Sequence, residues 1–127
     1  MSVQEQEQGR KRLLIADDEP IMRRFVQFVL EQQGHQVTAV EDGMRALEVA
    51  KDGDYDGIVL DIMMPHMTGL EVLQHLRLEP KTRDTFIVLL TAQSSEDEVN
   101  EGLWHGASRY LTKPIDPKEL AGVFNGY

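Results

Sequence analysis

The sequence predicts an α/β domain: a parallel sheet of five strands with helices on both faces. Two observations lead there. Five short apolar runs, rich in Leu, Ile and Val and bounded by turn residues, alternate strictly with stretches of helical periodicity. No internal repeat, linker or low-complexity segment interrupts that alternation. Strand–helix alternation calls for parallel strands joined by right-handed crossovers, with both faces of the sheet covered. A chain of 127 residues is long enough to bury one such core.

Residues 1–10 are rich in Gln and Glu and lack apolar periodicity, so they are expected to form a disordered tail, and residues 11–127 the domain. Leu13-Leu14-Ile15-Ala16 is the first strand, ending on Asp17-Asp18-Glu19. Pro20 suits the first turn of a helix, where its missing N–H does no harm. Ile21, Phe25, Phe28 and Val29 repeat at helical spacing and predict the inward stripe, with Met22 and Val26 beside it and Gly34 as the C-terminal cap. Residues 36–40 form a second strand, Asp42-Gly43 a turn, and a second helix presents Ala46, Leu47 and Ala50 inward. Residues 57–60 form a third strand that ends on Asp61. A helix then opens at Gly69, carries Leu70, Leu73, Leu76 and Arg77, and breaks at Pro80. Phe86–Leu90 is a fourth strand running into Thr91-Ala92. Ser94 and the acids after it read as the start of a fourth helix with Val99, Leu103 and Ala107 inward. Tyr110-Leu111 lies in a fifth strand ending at Lys113-Pro114, and Pro117 opens a last helix through Leu120, Val123 and Phe124.

Composition excludes several classes. There is no cysteine, which removes disulfides, thiolate metal sites and a Cys nucleophile, and is compatible with a reducing cytoplasm. No apolar run approaches a membrane span, and the first residues lack the basic and apolar regions of a secretory leader. A net charge of −9 argues against direct binding to a nucleic-acid backbone. The four histidines show no ligand spacing, and no Gly-rich nucleotide-binding motif is present.

In a parallel sheet of this kind, sites lie outside the carboxyl ends of the strands. Those ends carry Asp17 and Asp18, Asp61, Thr91 and Lys113. An ionised carboxylate at the mouth of a doubly buried strand must be paired, metal-bound or lifted in pKa. Taken alone, Asp61 is either a loop cap or a reactive centre. Three converging carboxylates repel one another, and a hard divalent cation such as Mg²⁺ resolves the repulsion. One carboxylate is then available as a nucleophile toward a phosphoryl group, with Lys113 and the Thr91 hydroxyl to receive the phosphoryl oxygens. Without a nucleotide motif, the donor is expected to be a partner protein or a small phosphodonor.

The set Asp17-Asp18, Asp61, Met64-Pro65 followed by Gly69, Thr91-Ala92, Tyr110 and Lys113-Pro114 resembles the receiver domain of bacterial response regulators, over about residues 12–125. The resemblance implies a flavodoxin-like fold with strand order 2-1-3-4-5 and a Lys113–Pro114 bond that is cis. It implies Asp61 as phosphoacceptor, Asp18 as direct Mg²⁺ ligand, Asp17 on a metal-bound water, the Met63 carbonyl as a further ligand, Thr91 and Lys113 on the phosphoryl group, and Tyr110 as an aromatic switch. It also implies a signalling switch in the cytoplasm rather than an enzyme acting on other molecules. A histidine kinase or phosphotransfer protein would load it. Its output would be a downstream protein or domain read through the face of the fourth helix, fifth strand and fifth helix, as a monomer or a phosphorylation-dependent dimer. Met63 lies two residues past Asp61 and Gln93 two past Thr91; the Met63 side chain cannot orient a water, so moderately slow self-hydrolysis, over minutes or longer, is expected.

Plainer roles exist for each residue: helix-start acids for Asp17-Asp18-Glu19, a helix cap for Thr91, a surface lysine for Lys113, core packing for Tyr110, and flank packing or a partner anchor for Trp104. A haloacid-dehalogenase-like phosphatase shares the Asp, Thr, Lys and Mg²⁺ chemistry, but its Asp-x-Asp pattern is absent and there is no room for a cap domain. A metal-independent pseudo-receiver would not need every site position filled. The chain reads equally as a stand-alone receiver or as the front of a longer protein.

Overall fold

A computed structural model of the chain describes residues 10–92 and 106–125. Five strands, β1 (Arg12–Ala16), β2 (Gln36–Val40), β3 (Gly57–Asp61), β4 (Phe86–Ala92) and β5 (Arg109–Lys113), form one sheet in the order β2-β1-β3-β4-β5. All four pairings are parallel. Described helices are α1 (Pro20–Gln32), α2 (Gly43–Asp52), α3 (Gly69–Leu78) and α4 (Pro117–Gly122), the last being the fifth helix expected from the sequence. The expected fourth helix, with Ser94, Val99, Leu103 and Trp104, lies outside the described residues, as do Gln93, His105 and residues 1–9. None of the described helices is long and apolar enough to cross a membrane.

Strand alternation divides the core into two layers. Leu14, Ala16, Ile58, Leu60, Ile87 and Leu89 point to one face, under Ala46 and Ala50 of α2 and Val72, Leu73 and Leu76 of α3. Leu13, Ile15, Val59, Val88, Leu90 and Leu111 point to the other, under Val26 and Leu30 of α1 and Leu120 of α4. β3 is buried throughout, as its unbroken apolar run demands.

Helix ends follow local chemistry. Asp42 caps α2 by accepting from the Arg45 N–H at 2.7 Å. Thr68 and Glu71 form a reciprocal capping box on α3. Asp116 caps α4 through the Lys118 N–H, with Pro117 as the first helical residue. α1 closes in a Schellman motif: Gly34, at φ 91°, donates to the Glu31 carbonyl, and His35 donates to that of Leu30.

Three expectations need correction. The inward face of α1 is Val26 and Leu30, with Met22, Phe25 and Val29 packed beside them, whereas Ile21 (80% exposed) and Phe28 (62% exposed) face outward. Apolar residues occur around most of this helix, so periodicity alone could not choose the face. Ala107 packs on the core from irregular backbone after Gly106, outside any helix. Val123 and Phe124 lie just past the end of α4, yet both are buried; Phe124 meets Phe86 and His35 edge-on at centroid distances of 5.7 and 6.4 Å.

Candidate phosphoryl-acceptor site

The sheet order reverses between β1 and β3: one connection leaves β1 toward β2, and the chain returns past β1 to place β3. That reversal opens a crevice at the carboxyl ends of the two strands. The acids sit there. Asp17 follows β1 and is fully buried, Asp18 beside it is exposed, and Asp61 ends β3 at 2% exposure. One carboxylate oxygen from each lies within 4.8 Å of the other two.

Asp61 is held on both oxygens. Its Oδ1 accepts the Met63 N–H at 3.2 Å, and its Oδ2 accepts from Lys113 Nζ at 2.9 Å. Lys113 arrives from the end of β5, two strands away, and its ammonium is largely covered. Burial alone would depress the Lys113 pKa, but its hydrogen bond and charge pairing with Asp61, with Asp17 and Glu19 adding to the field, raise it. The Lys113–Pro114 peptide is cis, as expected.

Asp17 has the opposite problem. Its Oδ1 accepts the Glu19 N–H at 3.0 Å, but its Oδ2 is buried without a protein partner. Burial, with the Asp61 charge adding to it, lifts its pKa to about 7 against the relief from Glu19 and Lys113. An orphaned buried carboxylate oxygen facing two more carboxylates is costly unless a cation or a proton neutralises it. The donors are all hard oxygens and fit Mg²⁺.

Thr91 is buried on β4, one residue beyond Leu90, the register partner of Asp61. Tyr110 on β5 pairs in register with Leu89 and is 38% exposed. Met63 is 61% exposed at the rim. Sequence reading missed Arg23, whose guanidinium donates to the Asp17 carbonyl at 2.8 Å and ties the acidic turn to α1. Its one signal was a cation near a helix N-terminus, where the dipole disfavours it.

A doubly wound parallel sheet with an acid cluster, a paired lysine and a buried threonine at its strand ends is an arrangement suited to phosphoryl transfer onto a carboxylate. The chain belongs to the response regulator receiver domain family, which it matches over residues 13–125. It is 42% identical over 110 residues to the phosphate regulon transcriptional regulatory protein PhoB of Escherichia coli K12, covering 87% of this chain and 48% of that protein. It therefore spans about half the length of this curated relative. Among solved structures it is similar to the Vibrio cholerae chemotaxis protein CheY4, with a TM-score of 0.84 and 33% identity, covering 88% of this chain and 93% of that one. The receiver domain of the sensor histidine kinase PA1611 from Pseudomonas aeruginosa, solved with a magnesium ion in its active-site cleft, gives a TM-score of 0.83 at 28% identity, covering 89% and 93%.

Proposed function

We propose that this chain is a phosphoacceptor switch in which Asp61 takes a phosphoryl group from a histidine kinase, a phosphotransfer protein or a small acyl phosphate in the cytoplasm. The observation that carries it is Asp61 itself: a buried carboxylate 2.9 Å from Lys113 Nζ, with carboxylate oxygens of Asp17 and Asp18 within 4.8 Å. A carboxylate oxygen of Asp61 attacks phosphorus, and the P–N or P–O bond to the donor breaks. The leaving group takes the electron pair: an imidazole nitrogen then also takes a proton, while the carboxylate of an acyl phosphate leaves as the anion. Asp17, Asp18, Asp61 and the Met63 carbonyl are the residues that would hold Mg²⁺. The chemistry such an ion supplies when bound is neutralisation of charge on the phosphoryl group in transfer.

Once Asp61 is an acyl phosphate, its oxygens compete for the Lys113 ammonium and the Thr91 hydroxyl. Lys113 closes β5 and Thr91 lies near the end of β4, so both strand ends are drawn toward the site. Tyr110, partly exposed on β5, takes the space this opens and reshapes the face built on β5 and α4. A few kcal/mol of differential contact energy is enough to shift such an equilibrium. A downstream partner or attached output domain reads the altered face, as a monomer or through a phosphorylation-dependent dimer. Hydrolysis returns the carboxylate and inorganic phosphate. Met63 offers no acid or amide to orient the water, so the lifetime is minutes or longer.

Intact mass after incubation with acetyl phosphate tests the reading. One Mg²⁺-dependent phosphoryl adduct, labile to hydroxylamine and missing in Asp61→Asn, is the expected result. An adduct that persists in Asp61→Asn overturns the assignment, and steady phosphate release without an adduct points to a phosphatase.

A further inference from the structure

We propose that Gly43 is a positioning residue for the phosphoacceptor loop, acting on Asp61 through the Met67 carbonyl; the inference rests on Asp61 being the phosphoacceptor. Gly43 is the buried first residue of α2, and its φ lies outside the left-handed region, so its backbone is one that alanine adopts. Helix propensity would favour alanine there. Space forbids it. A methyl carbon on Gly43 would lie 2.6 Å from the Met67 carbonyl oxygen and 2.8 Å from Val72 Cγ2. The valine can shift slightly, but the carbonyl belongs to the main chain of the loop between β3 and α3.

That loop has no slack to absorb the push. At its ends, Gly69 donates its N–H to the Ile62 carbonyl at 2.9 Å, and a methyl carbon on Gly69 would lie only 2.4 Å from the Asp61 carbonyl oxygen. In its middle, Met67 donates to the Pro65 carbonyl at 2.7 Å across His66, which is held at φ 68°. At its start, the Met63 N–H rests on Asp61 Oδ1. Displacing Met67 from Gly43 therefore moves the peptides that orient the Asp61 carboxylate, because close-packed interiors transmit strain rather than dissipate it. Gly43 touches none of the reacting atoms.

The 127-residue wild-type chain, Gly43→Ala and Val72→Ala are compared by thermal melting, by phosphoryl uptake from acetyl phosphate at saturating Mg²⁺ well below every Tm, and by the Met63 amide resonance in metal-free protein. Val72 is fully buried, so Val72→Ala lowers Tm by cavity formation without reaching the loop. The expected result is that Gly43→Ala takes up the phosphoryl group at least tenfold more slowly and shifts the Met63 amide, while Val72→Ala does neither. Should Gly43→Ala fail to fold, the double variant Gly43→Ala/Val72→Ala, which removes the valine clash and keeps the carbonyl one, is compared with Val72→Ala alone. Uptake within twofold of the reference and an unmoved Met63 amide overturn the proposal. A wild-type chain that takes up no phosphoryl group overturns the Asp61 reading, and this inference with it.

Discussion

Asp17 is where single-residue physics is most exposed. Its pKa is lifted from 3.8 to about 7 chiefly by burial. Between those values the folded protein keeps a proton that the unfolded chain has lost, so unfolding free energy falls as pH rises through that window. In EDTA, Asp17→Asn should therefore match wild type near pH 4 and be the more stable of the two at pH 8, with most of the change between. Urea titrations at pH 4, 6 and 8 check this, and a stability difference independent of pH contradicts it. Mg²⁺ should stabilise wild type at pH 8 and do little for the variant. His66 carries a second residue-scale consequence. A non-glycine residue at φ 68°, across the short Pro65–Met67 bond, is strained. His66→Gly should leave stability unchanged or raise it by up to ~1 kcal/mol, the relief being partly offset by the entropy of the unfolded chain. A clear drop in the urea midpoint would show that the imidazole makes a compensating contact.

At the scale of elements, α1 shows what amphipathic reading can and cannot do. Pro20, Gly34 and the apolar spacing marked the helix and both its ends, because capping and backbone preferences are local. Which side faced the sheet was not legible: Ile21 and Phe28 fit the helical template as well as Met22, Val26 and Leu30. The register of Leu13 and Ile15 on β1 selects the second set. Leu30→Ala should cost roughly 2–5 kcal/mol, whereas Ile21→Gln and Phe28→Gln should each stay within about 0.5 kcal/mol. Chemical denaturation separates the two classes directly, and a large loss at Ile21 would mean that its side chain is covered in solution.

Across the whole molecule, Arg77 links parts that the sequence leaves far apart. Its guanidinium donates to the carbonyls of Thr82, Arg83, Thr85 and Gly106 and to Ser108 Oγ, which itself accepts the Ile87 N–H at 2.9 Å. The end of α3, the loop before β4 and the approach to β5 are thus tied to one side chain. Arg77→Ala should cost about 2–3 kcal/mol in lost and orphaned hydrogen bonds and speed amide exchange at the start of β5. Arg77→Lys should restore little, since a point charge cannot span the fork. Unchanged exchange in both variants would show that the strand pairing alone holds β5.

The sequence by itself determined the strand–helix alternation, the parallel sheet and the residues at its strand ends. Each of those follows from periodicity, turn chemistry and the rule that sites form at carboxyl ends. The family resemblance then implied the strand order and the proposed acceptor, and Asp17, Asp18, Asp61 and Lys113 do converge. Only tertiary structure decided the outward face of α1, the Arg23 tie to the acidic turn, the Arg77 clamp and the seating of Met67 on Gly43. Those depend on distances between elements remote in the chain, and neither periodicity nor propensity carries information about them.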